Sequence, residues 1–189
     1  MRILLVLIVS LITFPALSAW QLDNKNSTLS FVSIKKNSVA EAHSFTQLSG
    51  VINDQGLVSI TIDLGSVNTH IGIRDDRMKE HLFETSLFPK ATFSTQLNLA
   101  AFQKLSVGAA QQMELTGAVD LHGQKQEITV NTLIIRLNED TVIASTLNPF
   151  MIKAEAFKLV AGINKLQELA GLPSISQAVP VSFVVTFKQ

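Results

Sequence analysis

From Leu29 to the C-terminus, apolar side chains repeatedly alternate with polar ones. A period of two marks a β-strand with one covered face. Val58, Ile60, Ile62 and Leu64 alternate with Ser59, Thr61 and Asp63, and Phe93, Leu97 and Leu99 with Ser94, Gln96 and Asn98. Met113, Leu115, Val119 and Leu121 alternate with Glu114, Thr116 and Asp120. Ile128, Val130 and Ile134 form a series blurred by Leu133 and Ile135, and Val181, Phe183, Val185 and Phe187 close the chain. Less regular runs near 28–34, 40–52 and 141–152 bring the set to about eight strands.

Turn signals separate several of these runs: Asn53-Asp54-Gln55-Gly56, His122-Gly123-Gln124 and Asn138-Glu139-Asp140. Such short connections predict antiparallel hairpins. Two segments break the alternation. Ile71 to Phe88 is charged, and Asp75 or Asp76 is placed to cap a short helix near 74–84 that carries Met78, Leu82 and Phe83 on one side. Ala154 to Ala170 spaces Phe157, Val160, Ala161, Leu166 and Leu169 as a helix does, with Ile163 one position off, and Gly171-Leu172-Pro173 stops it. Eight antiparallel strands must protect their edges. Rolling into an extended barrel removes the edges, and a two-sheet sandwich is the competing arrangement. An eight-stranded barrel is either filled by side chains or holds one small ligand.

Before the strands, Met1 to Ala19 carries one basic residue (Arg2), an apolar run from Ile3 to Phe14, then Pro15 and the small residues Ala16, Ser18 and Ala19. This is the layout of a secretory signal peptide, with Ala16 and Ser18 suited to cleavage after Ser18. The run is shorter than the roughly 20 apolar residues that cross a bilayer. The expected product is a periplasmic or secreted domain over 19–189, not integral to the membrane.

Composition narrows the function. Fifteen basic and fifteen acidic residues balance, which argues against a nucleic-acid partner. Without cysteine there is no disulfide framework, no thiolate nucleophile and no cysteine-containing zinc site. Length fits one domain, and an apolar fraction of 47% is too high for a disordered chain.

No nucleophile elbow, phosphate loop, H-E-x-x-H or EF-hand loop occurs. His43, His70, His81 and His122 have no local spacing to a serine and an acid that would mark a triad. His70, Asp75 and His81 are conceivable metal ligands, but Arg74, Arg77 and Lys79 beside them oppose a divalent ion. We therefore expect no catalytic residue, no metal and no cofactor. Arg74-Asp75-Asp76-Arg77 is the densest charge run. It reads as a solvated helix start or as a polar gate at a barrel mouth, where an arginine grips a polar head group.

At this segment the sequence resembles the YceI-like family. The shared signature runs through Ile62-Asp63, Ser66 and Thr69, Arg74-Asp75, Leu82-Phe83, and Pro89 with Ala91, Phe93 and Ser94. Trp20-Gln21-Leu22-Asp23, Ser27 to Phe31, Leu115-Thr116-Gly117 and Leu121-His122-Gly123 extend the resemblance over nearly all of 20–189. Two stretches depart from the pattern: His43-Ser44-Phe45-Thr46, and Lys153-Ala154-Glu155-Ala156-Phe157.

The resemblance implies a lipocalin-like, extended eight-stranded antiparallel barrel that binds a polyisoprenoid or similar long amphiphile. An isoprenoid quinone or a prenyl phosphate would be such a ligand. Some family members are dimers, which leaves a homodimer open. On this reading the apolar strand faces supply the ligand lining: Phe31, Phe45, Ile60, Ile62, Phe93, Leu97, Leu115, Val119, Val130 and Phe183. Arg74 is the expected head-group contact, with Asn68 and His81 as weaker partners. An enzyme acting on a lipid-like substrate inside the barrel, and a ligand-free interaction protein with a filled core, are the alternatives.

Overall fold

The computed structural model of the protein describes residues 19–189, and the predicted leader, residues 1–18, lies outside them. Twelve strands are present: β1 (Trp20–Leu22), β2 (Thr28–Lys35), β3 (Val39–Phe45), β4 (Leu48–Ile52), β5 (Leu57–Asp63), β6 (Val67–Asn68), β7 (Lys90–Gln96), β8 (Ala110–Leu121), β9 (Gln124–Asn138), β10 (Thr141–Thr146), β11 (Phe150–Lys153) and β12 (Ala178–Lys188). They form eight staves, because β1 with β2, β3 with β4, β5 with β6 and β10 with β11 are interrupted halves of single runs. Each stave pairs antiparallel with the next in sequence.

The last stave returns to the first. Val181 on β12 stands opposite Phe31 on β2, and Gln21 on β1 opposite Lys188 on β12. Sheet closure decides for the barrel over the sandwich. An ion pair ties the seam: Lys188 Nζ lies 2.6 Å from Asp23 Oδ2. That contact, helped by the Asn26 side-chain amide, holds the Asp23 carboxyl well below the usual carboxylate range.

Polar side chains make the interruptions. Asp23 caps the 3₁₀ turn Asn24–Asn26 between β1 and β2 by accepting from the Lys25 N–H. The Leu48 N–H at the start of β4 donates to Asn24 Oδ1 at 2.7 Å. Asp63 likewise accepts from the Gly65 N–H to shape the 3₁₀ turn Leu64–Ser66 after β5. Local side-chain acceptors thus replace ladder partners where the staves bend. Between β8 and β9, His122 (φ 53°) and Gly123 (φ 68°) form the tight left-handed hairpin that their sequence signalled.

Helical segments close the barrel ends. The first expected helix begins at Gly72, earlier than 74: α1 spans Gly72–Arg77 and runs into a π-helical turn, Met78–Leu82. Neither Asp75 nor Asp76 is its cap. Ile71 holds the N-cap position without a side-chain bond, and Asp75 instead reaches back to the Thr69 N–H (2.8 Å) and hydroxyl. Met78, Leu82 and Phe83 are buried, as their spacing predicts.

β7 ends at Gln96, short of the expected strand through Leu99, and α2 occupies Leu99–Gln103. Phe102 on α2 meets Trp20 edge-on, with ring centroids 6.0 Å apart, and closes one end of the bore.

The expected helix over 154–170 is divided. A 3₁₀ turn, Ala154–Phe157, precedes Lys158 in the left-handed region (φ 55°), and α3 begins only at Val160 and ends at Leu169. The irregular position of Ile163 in the helical pattern is the sequence trace of that break. Gly162 brings α3 against the π-helical turn: a Cβ there would lie 2.5 Å from the His81 carbonyl oxygen and 2.8 Å from Leu82 Cα. Only a residue without a side chain permits this backbone-to-backbone approach.

Candidate functional site

The inward faces of the staves enclose two adjoining cavities, one of about 170 Å³ and one of about 50 Å³. Phe31, Phe45, Ile62, Val119 and Val130 line the larger; Leu97 and Leu115 line the smaller. Ile60, Phe93, Phe183 and Val185 line both. All ten side chains assigned to the apolar face therefore point into the bore. The period of two places them there, since one face of each stave must be covered.

Other lining groups escaped the alternation pattern because they lie on irregular segments. Leu82 and Phe83 come from the π-helical turn and its end, and Leu159 and Ile163 from the 3₁₀-to-α3 junction. Phe83 lies 5.7 Å from Phe45, so the helical cover packs directly on the aromatic wall. Phe31 continues that wall at 5.4 Å from Phe45.

The three polar residues expected at a head group are not among those lining either cavity. Arg74 Nη1 donates to Glu41 Oε2 at 2.6 Å and Nη2 to the Thr69 carbonyl at 2.7 Å, while buried Nε lacks a partner. Asn68 accepts from the His70 N–H at 2.9 Å. His81 lies 3.8 Å from the Glu80 carboxylate. His70, Asp75 and His81 do not converge: among the described residues no three His, Cys, Asp or Glu side chains form a group able to hold a metal ion.

A polar cluster that the sequence did not single out lies instead where β2 and β3 extend past Phe31. Register places Phe31 opposite His43 and Ser33 opposite Glu41. His43 Nε2 sits 2.8 Å from Ser33 Oγ, and Lys35 Nζ 2.8 Å from Glu41 Oε2. Lys35, Arg74 and Glu41 thus form a bridge of two cations on one carboxylate. Lys35 first, then Arg74, lowers the Glu41 pKa from its usual value. His43 is 4% exposed, and its Nδ1 has no partner. Burial first, then the Arg74 cation, pushes its pKa down, so the ring is held neutral.

Ser33 and His43 are within general-base distance, but no acid orients His43 Nδ1, and Glu41 is engaged by Lys35 and Arg74. The pair is therefore a hydrogen-bonded couple rather than two-thirds of a triad.

This cluster makes stability fall with acid. His43 has a lower pKa folded than unfolded, so the unfolded chain takes up its proton first. Its contribution is complete above the ordinary value of 6.5 and is lost as pH falls through the depressed folded value. Glu41 adds a second loss that begins below 4.5. Melting temperature should be flat above neutrality, decline from about pH 6.5 downward and decline again below about pH 4.5. His43→Gln should abolish the first decline only. An unchanged first decline in that variant would assign it to another group.

A closed antiparallel barrel with a hydrocarbon-lined bore and helical covers is lipocalin-like architecture. The YceI-like domain matches residues 20–187, and the chain belongs to that family. Solved structures agree. A polyisoprenoid-binding domain from Saccharophagus degradans, implicated in plant cell wall breakdown, is 40% identical, covering 89% of this chain and 97% of its own, with a TM-score of 0.88. Burkholderia cenocepacia BcnA is 22% identical over 87% of this chain and 98% of its own, with a TM-score of 0.67. The Campylobacter jejuni YCEI protein is 17% identical over 78% and 84%, with a TM-score of 0.56. The latter two share the fold. No match was found among curated proteins.

The two stretches read in the sequence as departures from the family signature, 43–46 and 153–157, fall at the cluster and the cover. His43-Ser44-Phe45-Thr46 carries the histidine and an aromatic wall residue, and Ala154–Phe157 is the 3₁₀ turn beneath α3. Among the described residues no helix is long and apolar enough to cross a membrane.

Proposed function

We propose that this protein is exported and binds a polyisoprenoid, or a similarly long amphiphilic lipid, inside its barrel, for carriage, storage or stress protection. The observation that carries the reading is the bore itself: Phe, Leu, Ile and Val side chains from staves on all sides converge on one cavity. The polyisoprenoid-binding relative at 40% identity supports the ligand class. The leader pattern at residues 1–18 supports export to the periplasm.

The driving force is apolar burial, about 0.8 kcal/mol for each CH₂ removed from water. A prenyl chain offers more of this than tight binding needs, so the cost of ordering the chain decides affinity. The polar head of an isoprenoid quinone or prenyl phosphate would lie toward the Ser33, Glu41, His43 and Arg74 end. There His43 Nδ1 and Arg74 Nε are buried without partners. The function requires no bond to be made or broken, so binding rather than catalysis is the activity assigned.

The test is native extraction. Protein expressed with its leader and purified from a bacterial periplasm should release an isoprenoid on denaturation, detected by mass spectrometry. Repeated recovery without lipid, together with no binding of added prenols, would overturn the reading.

A further inference from the structure

Given the lipid-binding reading above, on which this rests, we infer that a break in the barrel wall between β9 and β11 is the door through which lipid enters the bore, and that the uncharged outer face around it docks on a lipid bilayer. Both ends of the bore are stoppered, by α3 packed on the π-helical turn at one and by Phe102 against Trp20 at the other. The wall between them is incomplete. β10 pairs with β9 as far as Thr146 opposite Thr132, and the Leu147 N–H then donates to the Asn131 carbonyl at 2.9 Å. Beyond that bond β11 pairs with β12 alone. Among the described residues, the next hydrogen bond across the break runs from the Gln126 side-chain amide to the Ala156 carbonyl at 3.2 Å.

The chain itself makes the break. Asn148-Pro149 follows Leu147, and proline has no N–H with which to continue the ladder. Ser145 pairs with Val184 and Phe150 with Val181, so five residues along this stave advance only three along β12 and two are looped out. The break opens onto hydrocarbon: Ile128 and Val130 on its β9 side and Phe150 and Ile152 on its β11 side all line the larger cavity. A long chain enters there sideways, along its length, instead of threading end-first past a stopper.

Around the door the outer face carries no charge. Residues 128–135, 141–152 and 174–187 contain no Asp, Glu, Lys or Arg. Val184, Ser145 and Leu133 stand in one row across β12, β10 and β9, and Ile143 stands opposite Ile135 in another. Leu147, Met151 and Val184 are exposed. Leu133 and Ile135 are the residues that blur the alternation of their strand, and they do so because β9 is apolar outside as well as inside. A wall facing only water has no use for a second apolar face. Anionic surfaces are held by basic clusters, so an apolar face without charge suits a neutral bilayer. A second copy of the chain seated there would cover the door, whereas a bilayer holds what the door admits.

Transfer of geranylgeraniol out of phosphatidylcholine vesicles reads the docking, and farnesol affinity in solution reads the bore. Met151→Glu and Val184→Glu each place a charge on the exposed face. Each should slow transfer on the order of tenfold and leave farnesol affinity within about twofold of wild type. Leu57→Glu, at an exposed apolar position on β5 halfway round the barrel, should change neither. Wild-type transfer should be the same at about 0.01 M and about 1 M salt. The door is tested by joining Glu127→Cys to Met151→Cys with a reducible cross-linker, in a chain that has no other cysteine. The linked protein should take up lipid slowly from vesicles and from solution, and reduction should restore the rate. Uptake at the wild-type rate with the linker in place would overturn the door. Equal transfer by wild type, Met151→Glu and Val184→Glu would overturn the docking face, as would a wild-type dimer that these substitutions split without slowing transfer. Farnesol binding in those cases leaves the lipid-binding reading standing, and binding of neither prenol by wild type would overturn that reading as well.

Discussion

Ile62→Arg should abolish lipid uptake while Thr129→Arg leaves it within about twofold of wild type. Ile62 lies on β5 between its register partners Leu48 and Ala91, is 7% exposed and faces the larger cavity. A guanidinium there would have no carboxylate within the hydrocarbon lining to pair with. Burying an unpaired charge costs several kcal/mol, so the side chain would either distort the wall or stretch along the bore toward water. Either outcome removes the surface that a prenyl chain needs. Thr129 is on the outer face of β9, exposed, next to inward-facing Val130. The same charge in that position stays solvated. Binding of farnesol by both variants, each checked by circular dichroism for intact β structure, reads the result. Equal binding by the two would place Ile62 outside the ligand path.

Phe157→Ala should lower stability by about 3–5 kcal/mol, the range for deleting a buried aromatic ring. Phe157 is 2% exposed, ends the 3₁₀ turn Ala154–Phe157 and packs in the main core cluster with Ala154, Leu159 and Ile163. It does not line the cavity. Its ring therefore anchors the α3 cover to the barrel rather than touching ligand. In a domain of this size the loss corresponds to a fall of roughly 10 °C in melting temperature. A fall of less than about 3 °C would mean that the cover is not held through this residue. The two variants separate the roles of wall and cover: Ile62→Arg acts on binding, Phe157→Ala on the stability of the fold that surrounds the site.

Much of this molecule is legible in the order of its residues. The alternation over Val58–Leu64, Met113–Leu121 and Val181–Phe187 predicts strands, and those strands exist with the predicted faces inward. A two-residue period cannot hide, because every second side chain must be covered by something apolar. The less regular runs, 28–34, 40–52 and 141–152, contain or border stave interruptions, where a local side-chain acceptor or turn replaces a ladder bond. Their poor alternation was itself information.

What lies between strands was harder to read. Asp75 suits an N-cap by type but serves Thr69 from inside the helix, because the chain doubles back through β6 to bring that backbone N–H within reach. Lys158 carries no mark of a left-handed residue, yet it splits one expected helix into a 3₁₀ turn and α3.

The sequence by itself determined the strands, their inward faces and the antiparallel order, since these follow from near-neighbour periodicity and short turns. Tertiary structure alone decided that the sheet closes, that His43 meets Ser33, that Arg74 spends its terminal nitrogens on Glu41 and Thr69, and that the Ser94 carbonyl and the Phe93 ring pack against Gly117. Each of these joins residues that are distant along the chain or on different staves. Their separations depend on register and on how far the barrel curls, and no local pattern of side chains encodes either.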